Sequence, residues 1–163
     1  MGYTHYAYQK KELDQKQWAG FITDVKKVLK AGEGYIQYES EVKKAPVANK
    51  DKVRFNGIGE EGHETFLMTR ISKLEEWQSK RDDGMVFNFC KTAQKAYDVY
   101  VVACLVLAKS HFGDDVVFLS DGDIEELQDG VKMVNELCGY NAALASDKEG
   151  KLRVVPAFLP VEA

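Results

Sequence analysis

The stretch FCKTAQKAYD, Phe89 to Asp98, holds the densest set of groups able to do chemistry: a thiol at Cys90, ammoniums at Lys91 and Lys95, a hydroxyl at Thr92, a phenol at Tyr97 and a carboxylate at Asp98. It leads into the most apolar run of the chain, VYVVACLVLA, so the pattern predicts a helix capped by Thr92, running through Phe112 and ending at Gly113. Lys91 then precedes the cap and Lys95 falls in the first turn, where the helix dipole favours acids; an exposed cation there costs about 0.3 to 1 kcal/mol. A bound anion resolves the conflict, because free backbone N–H groups, the Thr92 hydroxyl and the lysine ammoniums can together hold a phosphate or carboxylate. Lysines that point into water, or that pair with acids such as Asp98, resolve it as well.

A second polar group lies upstream. RFNGIGEEGHETF places Arg54, Asn56, His63 and Glu64 in one loop and its flanks, with glycines that let backbone approach a ligand. A Cys90 thiolate beside Lys91 and a helix amino end would have the setting that lowers a thiol pKa. His63 is its candidate base if the hairpin pairs beside Phe89 and Cys90. In SDGD, Ser120 to Asp123, the last acid reads as a helix cap, which leaves Asp121 for a ribose hydroxyl, an amine or Lys91. His5 and His111 each read as structural. No H-x-x-x-H or C-x-x-C spacing is present, so no metal, cofactor or disulfide framework is expected from Cys90, Cys104 and Cys138.

The elements that must position these groups follow from periodicity. GYTHYAYQ alternates as a first strand, and Asp14 caps a helix whose Trp18, Phe21, Ile22, Val25, Val28 and Leu29 share a face. VRFNG and HETFLMTR form a hairpin across IGEEG, after a polar connection around Pro46 and Asn49. ISKLEEWQSKRDDG is a charged excursion of uncertain helicity, and MVFNFC and DVVFLS are strands. A third helix opens at Asp123, with Glu126 closing a capping box, and buries Ile124, Leu127, Val131, Val134 and Leu137 before Gly139. Pro156 and Pro160 confine the last strand, 151–160, to a sheet edge. The expected fold is α+β: a single domain, 1–163, in which a mostly antiparallel sheet is packed by about three helices in a two-layer sandwich. No G-x-G-x-x-G lies between a strand and a helix, which disfavours a dinucleotide fold.

Composition narrows the partners. The 163 residues are 45% hydrophobic and 29% charged, enough for one globular core, and the net charge of -4 excludes broad contact with extended nucleic acid. The amino terminus lacks the apolar core of a secretory signal, and the apolar run is shorter than the roughly 20 residues a membrane span needs. Tyr6 stands where a myristoylation signal has Ser or Thr. A cytoplasmic location and no membrane partner are therefore expected, with a homo-oligomer compatible.

Taken together, MGYTHY, RFNG, HETF, FCKTA, YD, HFGD and SDGD resemble a functionally uncharacterised family of small bacterial and bacteriophage proteins, over Met1 to about Gly139. The resemblance implies that the pieces build one shared pocket from Arg54, Asn56, His63, Glu64, Lys91, Thr92, Tyr97, Asp98 and Asp121. The family pattern has proline before the Tyr-Asp pair, where this chain has Ala96, which makes the expected helix start less rigid. The leading functional expectation is a soluble protein binding a small anionic, nucleotide-like ligand; a phage origin would extend this to sequestering a host signalling nucleotide against defence. A hydrolase or transferase using Cys90 or the His63 and Glu64 pair is the alternative, and a protein-interaction domain the second.

Overall fold

The computed structural model describes residues 3–72 and 84–155. Most of the charged excursion, and both prolines of the tail, lie outside them. Nine strands and three helices are described: β1 (Thr4–Lys10), α1 (Gln15–Ala31), β2 (Ile36–Gln37), β3 (Val47–Ala48), β4 (Lys52–Gly57), β5 (Phe66–Thr69), β6 (Met85–Lys91), α2 (Asp98–Phe112), β7 (Val116–Ser120), α3 (Gln128–Cys138), β8 (Ala143–Ser146) and β9 (Leu152–Val155). They build an α+β sandwich. Five strands form one sheet in the order β6-β1-β7-β9-β8, and β2, β4, β3 and β5 form a second around β4. The named pairings are antiparallel.

Alternation along the strands sets the layers. His5 and Gln9 of β1, Val86 and Cys90 of β6, and Val116 and Phe118 of β7 are buried toward the helices. The opposite face carries Tyr6, Tyr8, Phe87 and Phe89 in a chain of ring contacts. Against the inner face lies α2, whose residues from Tyr100 to Ala108 are all buried. A helix apolar on every side must be enclosed, and α2 is covered by the sheet, α1 and α3. No helix among the described residues is long and apolar enough to cross a membrane.

The first helix is as the periodicity predicts: Asp14 accepts from the Gln17 N–H, and Trp18, Phe21, Ile22, Val25 and Val28 are buried. One polar cluster ties the helices together at their far end. Asp24 of α1, 4% exposed, accepts from His111 Nε2 at 2.8 Å and from the Tyr140 hydroxyl at 2.6 Å, with the Lys27 ammonium 3.6 Å away.

Three boundaries differ from the sequence expectation. The expected capping box forms, Asp123 N–H donating to Glu126 and Glu126 N–H to Asp123, but it closes a turn ahead of α3, and Leu137 remains 36% exposed. The tail strand forms at Leu152–Val155, yet it sits between β7 and β8 instead of at the edge, which β8 occupies. The third difference concerns the site.

Candidate functional site

The helix expected to open at Thr92 begins at Asp98. Pairing with β1 carries β6 through Lys91, opposite Thr4. Two successive turns then reverse the chain, closed by Lys95 N–H on Thr92 O and Asp98 N–H on Lys95 O. Ala93 and Gln94 take left-handed backbone conformations, with φ of 52° and 54°. The lysines therefore do not oppose a helix dipole. Asp98 stands at the start of α2, where a carboxylate is favoured, and Lys91 and Lys95 belong to a strand end and a turn.

This rearrangement brings β1, β6, β7 and α2 together at one end of the sheet. His5, 1% exposed, is the centre. Its Nε2 lies 2.6 Å from Asp98 Oδ1 and its Nδ1 lies 2.8 Å from Ser120 Oγ. Thr92, fully buried, also donates its hydroxyl to Asp98 Oδ1, and the Gly122 N–H donates to Ser120 Oγ at 2.9 Å. The polarity of the chain follows from its ends. Carboxylate oxygen only accepts, so in the neutral imidazole Nε2 carries the proton and Nδ1 faces the serine with a lone pair. Ser120, already accepting from Gly122, gives its own hydrogen to Nδ1. Asp98 is doubly held at Oδ1, its side chain is 18% exposed, and among the described residues Oδ2 receives no hydrogen bond.

Tyr3 closes one side. Its ring meets His5 edge-on at 5.2 Å, and its hydroxyl is buried with no hydrogen-bond partner among the described residues. Burial, followed by the negative charges of Asp98, Glu126 and Asp123, pushes the phenol up to about 12, with nearby Ser120 acting the other way but short of hydrogen-bond geometry. The phenol keeps its proton at neutral pH.

The hairpin residues are latched beside this centre. Lys91 O accepts from His63 Nδ1 at 2.8 Å, from Glu64 N–H at 3.1 Å and from the Tyr97 hydroxyl at 3.3 Å, while Lys91 N–H donates to Glu64 Oε1 at 2.8 Å. His63 and Glu64 thus bind the hairpin to the end of β6 through backbone. Asn56, 2% exposed, spends its amide inside the loop: Oδ1 accepts from Gly57 and His63 N–H, and Nδ2 donates to His63 O and Thr65 Oγ1. Arg54 pairs with Glu39 and lies 4.2 Å over the Tyr38 ring, and among the described residues its side chain makes no hydrogen bond to the other candidates. Asp121 binds Thr4 N–H and the Tyr6 hydroxyl on the open face of the sheet, so its carboxylate is turned away from Asp98.

Cys90 also differs from its expected setting. It is 3% exposed, faces the core, and burial pushes its thiol up to about 12, the opposite of an activated thiolate. Tyr97 and Asp98, which open α2, lie close to it, and the charges of Glu64 and Asp98 add to the rise while Tyr97 opposes it. Among the described residues no group of histidine, cysteine and acid could hold a metal ion.

Of the expected site residues, the structure gathers His63, Glu64, Cys90, Thr92, Tyr97 and Asp98, joins Lys91 and Lys95 to them through backbone, links Asn56 through His63, and leaves Arg54 and the Asp121 carboxylate elsewhere. His5, Ser120 and Tyr3 were missed as site residues. The position of SDGD at a strand-to-helix junction was the only signal for Ser120, and nothing but register places His5 beside it. No protein-family model, curated protein or solved structure matches the chain.

Proposed function

We propose that the protein is a cytoplasmic domain that binds a small ligand at this end of the sheet, and that the ligand combines an anionic group with hydroxyls or an amine, as a nucleotide or sugar phosphate does. The observation that carries this reading is the Asp98 carboxylate: one oxygen is fixed by His5 and Thr92, and the other is left open at a partly exposed position. A rigid carboxylate oriented by neutral donors is a preorganised acceptor for a ligand hydroxyl or amine. Its neighbours divide the surface by charge. Asp98, Asp123 and Glu126 face Tyr3, whereas Lys91 and Lys95 form no ion pair among the described residues, and the Lys91 ammonium lies 5.9 Å over the Phe89 ring on the open face of the sheet. One side suits hydrogen-bond donors and the other suits an anion.

Calorimetry with nucleoside monophosphates, sugar phosphates and inorganic phosphate tests this directly. Binding is expected to weaken roughly 10-fold or more in Asp98→Asn and in the double variant Lys91→Ala/Lys95→Ala, in keeping with about 1.5–3 kcal/mol for a hydrogen bond to a charged group. Affinities left unchanged by both variants would sink the reading.

A further inference from the structure

We propose that Ser120 is a nucleophile for acyl transfer, with His5 as its base and Asp98 as the residue that positions the imidazole, acting on small esters or thioesters. The inference stands on the directed hydrogen-bond chain and does not depend on anion recognition by the lysines. Gly122 N–H to Ser120 Oγ, Ser120 O–H to His5 Nδ1 and His5 Nε2–H to Asp98 Oδ1 form one unbroken series at 2.9, 2.8 and 2.6 Å. Three elements far apart in sequence supply it. A base is useful only if its lone pair faces the proton it takes, and here the tautomer is fixed from the carboxylate end. The ring nitrogens are exchanged relative to the usual serine-hydrolase arrangement, which leaves the proton inventory unchanged.

A purely structural polar cluster would be expected to bury each member and satisfy every group. This one does neither. Ser120 is half-buried and Asp98 is partly exposed, while the Tyr3 hydroxyl is buried without a partner. That hydroxyl lies against the Gly122 backbone, so close that a Cβ there would stand 2.0 Å from it. This O–H donor, near Ser120 and without a hydrogen-bond partner among the described residues, is the group assigned to the developing negative charge on a carbonyl oxygen, the task of an oxyanion hole.

The step balances without a further reactant except water. Ser120 Oγ gives its proton to His5 Nδ1 and forms a bond to the acyl carbon, and the carbonyl π pair moves onto oxygen, where the Tyr3 hydroxyl donates to it. Collapse breaks the bond to the leaving alkoxide or thiolate, which takes the proton from Nδ1. Water then gives a proton to Nδ1 and attacks the acyl-serine; the Ser120 Oγ–acyl bond breaks, and Oγ recovers its proton as the acid departs. Asp98 stabilises the imidazolium in both halves and holds Nε2 toward itself.

The test is covalent labelling of the intact protein with an uncharged fluorophosphonate, read by intact mass and peptide mapping, beside hydrolysis of p-nitrophenyl acetate. One adduct per chain on Ser120 is expected, absent in Ser120→Ala. In Asp98→Asn, labelling is expected to slow roughly 100-fold or more. The pH dependence of labelling should also change, rising through one histidine titration in the wild type and losing that rise in the variant; a merely structural Asp98 would lower the melting temperature and leave the profile alone. Because Ser120→Ala removes one half-buried oxygen and mapping uses the wild type, the result does not hang on a variant that fails to fold. A folded wild-type protein that takes no label, or is labelled elsewhere, overturns the proposal. Phosphate compounds that fail to bind while Ser120 labels normally overturn the anion reading alone.

Discussion

The Tyr3 hydroxyl rests on the backbone of Gly122, where a methyl group would stand 2.0 Å from its oxygen and 2.9 Å from its ring carbon. Glycine is required here by contact alone. Gly122→Ala should therefore displace Tyr3 and destabilise the protein by about 1–3 kcal/mol, the usual cost of overpacking. Tyr3→Phe removes the closest atom, so the double variant should recover part of the loss. Urea denaturation of the four proteins measures the coupling, and additive effects would show that Tyr3 does not occupy this position.

The turn before α2 gives a test of opposite sign to helix expectation. Ala93 has a left-handed φ of 52°, a conformation that costs a non-glycine residue roughly 1–2 kcal/mol. Ala93→Gly relieves that strain and loosens the unfolded chain, so it should be neutral or stabilising by up to about 1 kcal/mol. Within a helix the same change costs about 1 kcal/mol. Thermal melts distinguish the two, and a loss of that size would restore the helix at Thr92.

The helix cluster makes stability depend on acid. Burial alone raises the Asp24 pKa, but hydrogen bonds from His111 and Tyr140, with the charges of His111 and Lys27, outweigh it and hold the carboxyl below its ordinary value. A carboxyl depressed in the folded state stabilises the fold above its unfolded pKa of about 3.9, and that contribution is lost as pH falls below it. Asp24→Asn should be about 1–3 kcal/mol less stable at neutral pH, with the gap closing in acid. Denaturant titrations at pH 7 and pH 3 check this; a gap of the same size at both would assign the stability to groups other than this carboxylate.

How much of this was legible beforehand depended on whether the signal was local. Trp18, Phe21, Ile22, Val25 and Val28 announce α1 because helical spacing is a property of one segment, and all five are buried. Likewise Phe55 and Phe66 meet across the hairpin implied by the glycines between them. The segment after Lys91 misled for the same reason. Ala, Gln and Lys favour helix, and nothing in them reveals that β1 pairing holds Thr4 against Lys91 or that two residues other than glycine turn the chain. His5 and Ser120 face one another because β1 and β7 pair in one register, a relation that no window of sequence contains. The lysines singled out this segment through a helix dipole that they do not meet, and the acid at its far end, Asp98, is the group the fold orients.

The His5 contacts span 93 residues to Asp98 and 115 to Ser120. Loops of that length close late, after local hairpins and helices have formed, because their entropy is recovered only when the surrounding contacts exist. During synthesis the amino-terminal histidine must wait for β7 to be made and paired. A chain that ends before β7 thus holds His5 without Ser120, and the proposed chemistry at this position becomes available only once β7 has paired with β1.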